Sequence, residues 1–218
     1  ERCPEWDLLW LGLLCRARKY SESFDWTTTY PQIFMTLQNA LAIQVGDAVA
    51  VRDRRAPVPC INLFLPHVQV QSSRIAKLAK LVVFCLSKDT ALAPIAMNSL
   101  LRLINLGRVY FYPSNSATCT PRLVVFVGCL CKEVARKVGA QTALTEPESP
   151  CGLQTQQVSS LIDLLLPLLQ QGVFSENRGV SGGCCSCLRT LAFLAPRRVG
   201  LSVIEFVTMS LGSESVNS

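Results

Sequence analysis

The sequence predicts an all-α protein built as a solenoid of stacked helix pairs, and three observations predict it. Eight segments of the 218 residues place apolar side chains at helical spacing. The segments come in antiparallel pairs with a repeat of roughly 40 residues, and strand signals are sparse. Pairs of that period match HEAT and armadillo arrays, in which each pair buries its apolar face only against neighbouring pairs. An ordinary helical bundle would also satisfy the periodicity, but the pair repeat favours an array of about four pairs spanning residues 1–218.

The elements follow in order. Trp6, Trp10, Leu13 and Ala17 form the first apolar face. Ile33, Phe34, Leu37 and Leu41 form the second, after Pro31 at a first helical position, where a missing N–H costs little. Ser72 or Ser73 caps a third helix carrying Ile75, Leu78, Ala79, Val82 and Leu86. The fourth runs from about Thr90 through Ala93, Met97, Leu100, Leu101 and Ile104 to a stop at Gly107. Thr120-Pro121 opens the fifth, which continues through Leu123, Phe126, Val127, Leu130 and Val134 to Gly139. Val158, Leu161, Ile162, Leu165, Leu168 and Leu169 make the sixth, with a kink expected at Pro167. Cys184, Leu188, Leu191 and Ala192 make the seventh, and Val203, Ile204, Val207 and Leu211 the eighth. Two stretches read as irregular linkers: residues 47–71, with Pro57, Pro59 and Pro66, and residues 140–154, with Pro147 and Pro150. Val49-Ala50-Val51 and Val68-Gln69-Val70 alternate too briefly to read as strands.

Composition narrows the function classes. Half of the residues are hydrophobic and 17% are charged, against the ~25% usual in soluble domains, which excludes a disordered polyelectrolyte. Mean hydropathy is +0.32. Even so, the apolar runs Leu81–Leu86 and Leu123–Cys131 end near Lys88 and Lys132, short of the ~20 residues of a membrane span. The 21 Lys and Arg against 15 Asp and Glu give a net charge of +6, scattered in small clusters that do not indicate direct nucleic-acid binding. The 11 cysteines are odd in number and many sit in apolar runs, as Cys15, Cys85 and Cys129 do, which fits buried thiols in a reducing intracellular compartment. Glu1-Arg2-Cys3-Pro4 is neither an initiator methionine nor a signal peptide, so a stretch of a longer chain is expected. Its outer faces, Trp6, Trp10 and Leu13 at one end and Val203, Val207 and Leu211 at the other, are then expected to be uncovered.

No catalytic, cofactor-binding or metal residue is assigned. His67, the only histidine, lies in the proline-rich linker, where a solvent-exposed loop histidine is the expectation. Cys184-Cys185-Ser186-Cys187 has a C-x-x-C spacing and Cys129-Leu130-Cys131 a C-x-C, but both fall on helical patterns, where i and i+2 side chains diverge. Core packing explains them better than zinc. Gly179, Gly182 and Gly183 lack a phosphate-loop pattern and read as a turn between helices. Of the basic groups that could meet an anion, Arg52, Arg54 and Arg55, then Arg197 and Arg198, are short clusters, while Arg74, Lys77 and Lys80 recur every three residues as a solvated helix face, with contact to a partner or polyanion as the alternative.

Three stretches carry a family resemblance. The first runs from Trp6 to Gly46, with Phe24-Asp25-Trp26, Tyr30-Pro31-Gln32-Ile33-Phe34 and Ile43-Gln44-Val45-Gly46 as landmarks. The second is Tyr110-Phe111-Tyr112-Pro113-Ser114-Asn115 leading into a Leu-rich helix. The third is Leu191-Ala192-Phe193-Leu194-Ala195-Pro196 and the helix beyond. In order and wording these resemble the large HEAT-repeat proteasome activators, the proteasome activator complex subunit 4 family. The chain departs from that family after Asn115, where Ser116-Ala117-Thr118-Cys119 replaces a glycine and tryptophan, and in the linker after Ala48.

The resemblance implies a non-enzymatic, ATP-independent activator that caps the proteasome core particle. It implies gate opening and ubiquitin-independent degradation, residence in nucleus and cytoplasm, and links to acetylated histones, inositol phosphates and DNA repair. The family docks on the core through a C-terminal hydrophobic-tyrosine-any tail, whereas this chain ends Val216-Asn217-Ser218, so no binding residue carries over. A generic HEAT or armadillo adaptor, binding a peptide or partner helix, is the alternative.

With the cysteines read as core packing, the purified chain is expected to hold no stoichiometric zinc and to keep its fold in chelator. One zinc per chain by elemental mass spectrometry would overturn that reading.

Overall fold

The computed structural model describes residues 4–18, 24–41, 60–61, 66–87, 92–113, 120–143 and 152–214. Eight α-helices run through them: α1 (Pro4–Ala17), α2 (Trp26–Leu41), α3 (Pro66–Ser87), α4 (Leu92–Leu106), α5 (Arg122–Ala143), α6 (Thr155–Val173), α7 (Arg178–Leu194) and α8 (Pro196–Glu214). A 3-10 turn, Arg108–Phe111, follows α4. Two short strands, β1 (Cys60–Ile61) and β2 (Thr120–Pro121), pair antiparallel, with Cys60 opposite Pro121 and Ile61 opposite Thr120. The architecture is an all-α solenoid. The odd-numbered helices α1, α3, α5 and α7 pack each on the next, and α2 meets α4 and α6 meets α8 in a second layer. The 3-10 turn joins that second layer by touching both α4 and α6.

Helix starts are set by local hydrogen bonding. Asp25 caps α2, its Oδ1 accepting from the N–H groups of Thr27 at 3.0 Å and Thr28 at 3.2 Å. The second helix therefore begins at Trp26, ahead of the start expected at Pro31. Pro31 sits exposed inside α2, so only one backbone bond is lost, on the solvent side. Likewise α3 begins at Pro66, a proline suited to a first turn, and Ser72 and Ser73 lie within the helix. The end of the linker expected at 47–71 is thus helical, and Val68-Gln69-Val70 is too short a run to distinguish a period of 2 from one of 3.6. At the other linker, α5 continues past Gly139 to Ala143, while Gly152–Gln154 is irregular as expected. Thr90 and Val49-Ala50-Val51 lie outside the described residues.

Asn177 caps α7 by accepting from Gly179 N–H at 2.9 Å and Val180 N–H at 3.2 Å. Gly179, Gly182 and Gly183 consequently stand inside α7 and form no turn. Two of them face packed neighbours. A Cβ built on Gly183 would lie 2.8 Å from Val124 Cγ1, and one on Gly179 would lie 1.9 Å from Thr120 Oγ1. Their missing side chains let α7 approach α5 and β2 closely, which offsets their poor helix propensity.

The core runs continuously through both layers. In α3, every residue from Leu81 to Ser87 is buried, because α1, α2, α4 and α5 surround that helix. A helix enclosed in this way is apolar all round instead of along one stripe. Trp26 sets α2 against α3, its ring 4.6 Å from that of Phe84 in a T-shaped contact. The outermost helices keep apolar residues in solvent: Leu9 and Leu13 on α1, and Leu201, Ile204, Val207 and Met209 on α8 are exposed. Trp10 and Val203, expected on those outer faces, are instead half-buried against the core.

The glycines give opposite expectations within the same fold. Gly182→Ala meets no atom within 4 Å and should raise stability by about 0.5–1 kcal/mol through helix propensity. At Gly172 an added Cβ meets Cys184 Sγ at 2.4 Å and Phe111 Cδ1 at 3.2 Å, so Gly172→Ala should cost about 1–3 kcal/mol by overpacking. Thermal melts of the two variants check the contrast. Equal shifts would show that the glycine contacts do not control the packing.

Candidate functional site

Several polar side chains of the described residues join one helix to another. In the odd layer, Asp7 of α1 and Arg74 of α3 form a buried ion pair. Asp7 lies on the stripe Asp7, Leu11 and Leu14, all buried, whereas Leu13 is 63% exposed. Of the expected set, Leu13 is therefore off the buried face, Trp10 and Ala17 are half-buried against the core, and the Trp6 side chain lies outside the described residues. Leu8, Leu9, Leu11, Leu13 and Leu14 make the helix apolar on nearly every side, so periodicity alone could not choose a face. The pairing of Asp7 with Arg74 makes that choice.

The same pairing corrects the reading of Arg74, Lys77 and Lys80 as a solvated face. Arg74 is buried, Lys77 is half-buried, and Lys80 alone of the three is exposed. The backbone beside them serves α1: the Cys15 thiol donates to the Lys77 carbonyl at 3.9 Å, and Arg18 Nη1 donates to the Lys80 carbonyl at 3.5 Å. Arg18 also reaches Glu133 of α5 at 3.8 Å, and Arg136 donates to both Glu133 carboxylate oxygens at 2.9 and 2.7 Å. Burial works to raise the Glu133 pKa, but the Arg136 hydrogen bonds and the charges of Arg136, Arg18 and Lys80 outweigh it and hold the carboxyl below its ordinary range. Arg122 of α5 donates to the Ala40 carbonyl of α2 at 3.2 Å, and burial together with nearby Arg74 lowers its pKa. Arg198 pairs with Asp163 across α8 and α6 at an exposed position.

His67 falls in the first turn of α3, outside the loop expected for it, and Arg52, Arg54 and Arg55 lie outside the described residues. The two cysteine motifs, separate in sequence, meet across the α5–α7 seam. The Cys131 thiol donates to Cys187 Sγ, and a Cβ on Gly128 would lie 3.9 Å from that sulfur. Cys184 turns toward α6, close to Gly172, and burial pushes its thiol up to about 12. Among the described residues no three potential metal ligands converge.

Two surface clefts among the described residues bear on the chemistry. One, of about 210 Å³, lies between α5 and α7 and is lined by Val124, Cys129, Lys132, Gly183, Ser186 and Cys187 among others. A second, of about 470 Å³, lies between α4 and α6, with Leu101, Ile104, Leu164 and Leu168 on its floor and Arg108 and Asp163 at its edges. Neither brings a nucleophile together with a histidine base or sets two carboxylates at a catalytic separation.

These features define a class: a two-layer run of HEAT-type helix pairs whose charged groups lock helix to helix. Residues 100–218 match the family model for the proteasome activator complex subunit 4, mid HEAT repeats region. The chain belongs to that family. It is 24% identical over 200 residues to the Proteasome activator subunit 4 of Arabidopsis thaliana, an alignment covering 90% of this chain and 11% of that protein. No solved structure matches significantly.

The structural ion pairs escaped the sequence reading, although one signal was present: Asp7 stands at the i−4 and i−7 positions of Leu11 and Leu14. Breaking this pair is expected to be costly. Asp7→Ala leaves Arg74 buried and unpaired and should lower stability by about 3–5 kcal/mol, while Asp163→Ala at the exposed pair should change it by less than about 1 kcal/mol. Urea denaturation of both variants measures the difference, and similar losses would show that the buried pair does not anchor α1.

Proposed function

We propose that this chain is a structural segment of a non-enzymatic, ATP-independent proteasome activator, forming part of the solenoid wall that caps the core particle. The observation that carries the reading is the family match over residues 100–218, which coincides with a continuous stack from α4 to α8. The chain spans 11% of the curated relative it matches, so the activity belongs to a longer assembly of such pairs. Docking of that assembly shifts the core gate toward its open state by binding the open state more tightly, with no nucleotide turnover. Peptides and proteins are then degraded without ubiquitin. Nuclear and cytoplasmic residence, acetylated-histone turnover, inositol-phosphate binding and a part in DNA repair belong to the same proposal. So does the division of the chain as a single segment of a HEAT array.

A second reading rests on the α4–α6 cleft, whose apolar floor and charged edges suit a peptide or partner helix, as in a generic adaptor. The two readings separate in one assay. Intact activator containing this segment should raise peptide hydrolysis by purified core particle and should bring core subunits with it on affinity purification. Residues 1–218 alone should leave hydrolysis at its basal rate, because a ligand without gate contacts has no differential affinity for the open state. Failure of the intact protein to stimulate or to capture core subunits would favour the adaptor reading. Stimulation by residues 1–218 alone would place the activating surface within this segment.

A further inference from the structure

The seam between α5 and α7 brings two free, buried thiols together. Cys131 on α5 and Cys187 on α7 are 0% and 2% exposed, and neither is in a disulfide. Each stands on a stripe with small neighbours: Val124, Gly128 and Cys131 on one helix, Gly179, Gly183 and Cys187 on the other. The bare glycine backbones draw the helices close, as the 2.8 Å between a notional Gly183 Cβ and Val124 Cγ1 shows. A disulfide requires Cα atoms about 4.4–6.8 Å apart, so a bridge between two helices needs them closely packed. Cys187 also lines the α5–α7 cleft of about 210 Å³, together with Cys129 and Lys132, so a water-sized reagent has a route to its sulfur.

We propose that Cys131 and Cys187 form a reversible oxidation site, which a hydroperoxide converts into a disulfide linking the third and fourth helix pairs. The two sulfurs have different roles. The hydrogen bond from the Cys131 thiol lowers the Cys187 pKa against the opposing effect of burial, and the Lys132 ammonium adds to the lowering. The Cys131 pKa moves the other way, because its proton is held in that same hydrogen bond and because it is buried. Cys187 lines the cleft beside Lys132 whereas Cys131 is fully buried and does not, so Cys187 is the attacking sulfur and Cys131 the resolving one. Burial raises the other cysteines at this seam, Cys129 and Cys184.

In the first step the Cys187 thiolate attacks the terminal oxygen of the hydroperoxide. An S–O bond forms, the O–O bond breaks, and the departing alkoxide or hydroxide takes up the proton Cys187 had lost, leaving sulfenic acid. In the second, Cys131 sulfur attacks Cys187 sulfur. The S–S bond forms, the S–O bond breaks, and hydroxide leaves with the Cys131 proton as water. Two thiols are oxidised by two electrons, and one hydroperoxide is reduced to an alcohol, or to water when it is hydrogen peroxide, together with that second water. A small dithiol or glutathione reverses the change. The cross-link fixes α7 on α5 and so removes the play between two successive helix pairs.

The test treats the 218-residue chain with hydrogen peroxide, blocks remaining thiols, and maps peptides without reduction. The expected result is a cross-linked peptide joining Cys131 to Cys187, lost on adding dithiothreitol. In Cys131→Ser the sulfenic acid at Cys187 should persist and be trapped by dimedone at least tenfold more than at exposed Cys185 on the same helix. Cys187→Ala should abolish both products. Helical circular dichroism of each variant establishes that it is folded, and the wild-type connectivity decides the question if a variant is not. Recovery of Cys131 and Cys187 as free thiols while Cys185 is oxidised would overturn the proposal, as would a disulfide of other connectivity.

Discussion

The closeness of α5 and α7 depends on positions that carry no side chain. Gly183 leaves room for Val124, and Gly179 leaves room for Thr120, so α7 approaches α5 and β2 closely at these positions. Larger residues there would push the helices apart and open voids that a packed interior does not tolerate. From this spacing follow the meeting of Cys131 with Cys187, the burial of Leu188 and Leu191 on α7, and the shallow cleft along the seam. The two-residue ladder of β1 and β2 sits at the same place, since β2 leads directly into α5 and touches α7. It ties the stretch before α3 to the start of the third pair.

Charge is used along the odd layer as glycine is used at the seam. Asp7 with Arg74 joins α1 to α3, and Glu133 draws Arg18 from the end of α1 toward α5. Such pairs contribute more to choosing a rotational setting than to net stability, because desolvation of both charges offsets much of their attraction. The depressed pKa of Glu133 gives this arrangement a pH sense. Its contribution is present above the unfolded carboxyl pKa and is lost as pH falls through the lower folded value.

The family match and the all-α solenoid are consistent with each other. In a solenoid each helix pair contacts only its neighbours, and α8 keeps Leu201, Ile204 and Met209 exposed. Within the described residues, nucleophiles and bases are kept apart while helices are held together. The glycine seam and the buried ion pair hold successive helices against one another.

The sequence by itself determined the helices, the all-α class and the family. Apolar spacing located all eight elements, since a 3.6-residue period survives in any environment that buries one face. It misplaced several starts, because Asp25 caps through its side chain ahead of an internal proline, and Pro66 opens a helix across a stretch that also alternates. It put Gly179, Gly182 and Gly183 in a turn, because glycine in isolation signals a break. Only the packed partner, Val124 or Thr120, reveals that two of these glycines serve contact. The tertiary structure alone decided which face of α1 is buried, that Arg74 is an internal anchor, and that Cys131 meets Cys187. Each of these is a relation between residues far apart in the chain, and local periodicity holds no information about which distant side chain completes a pair.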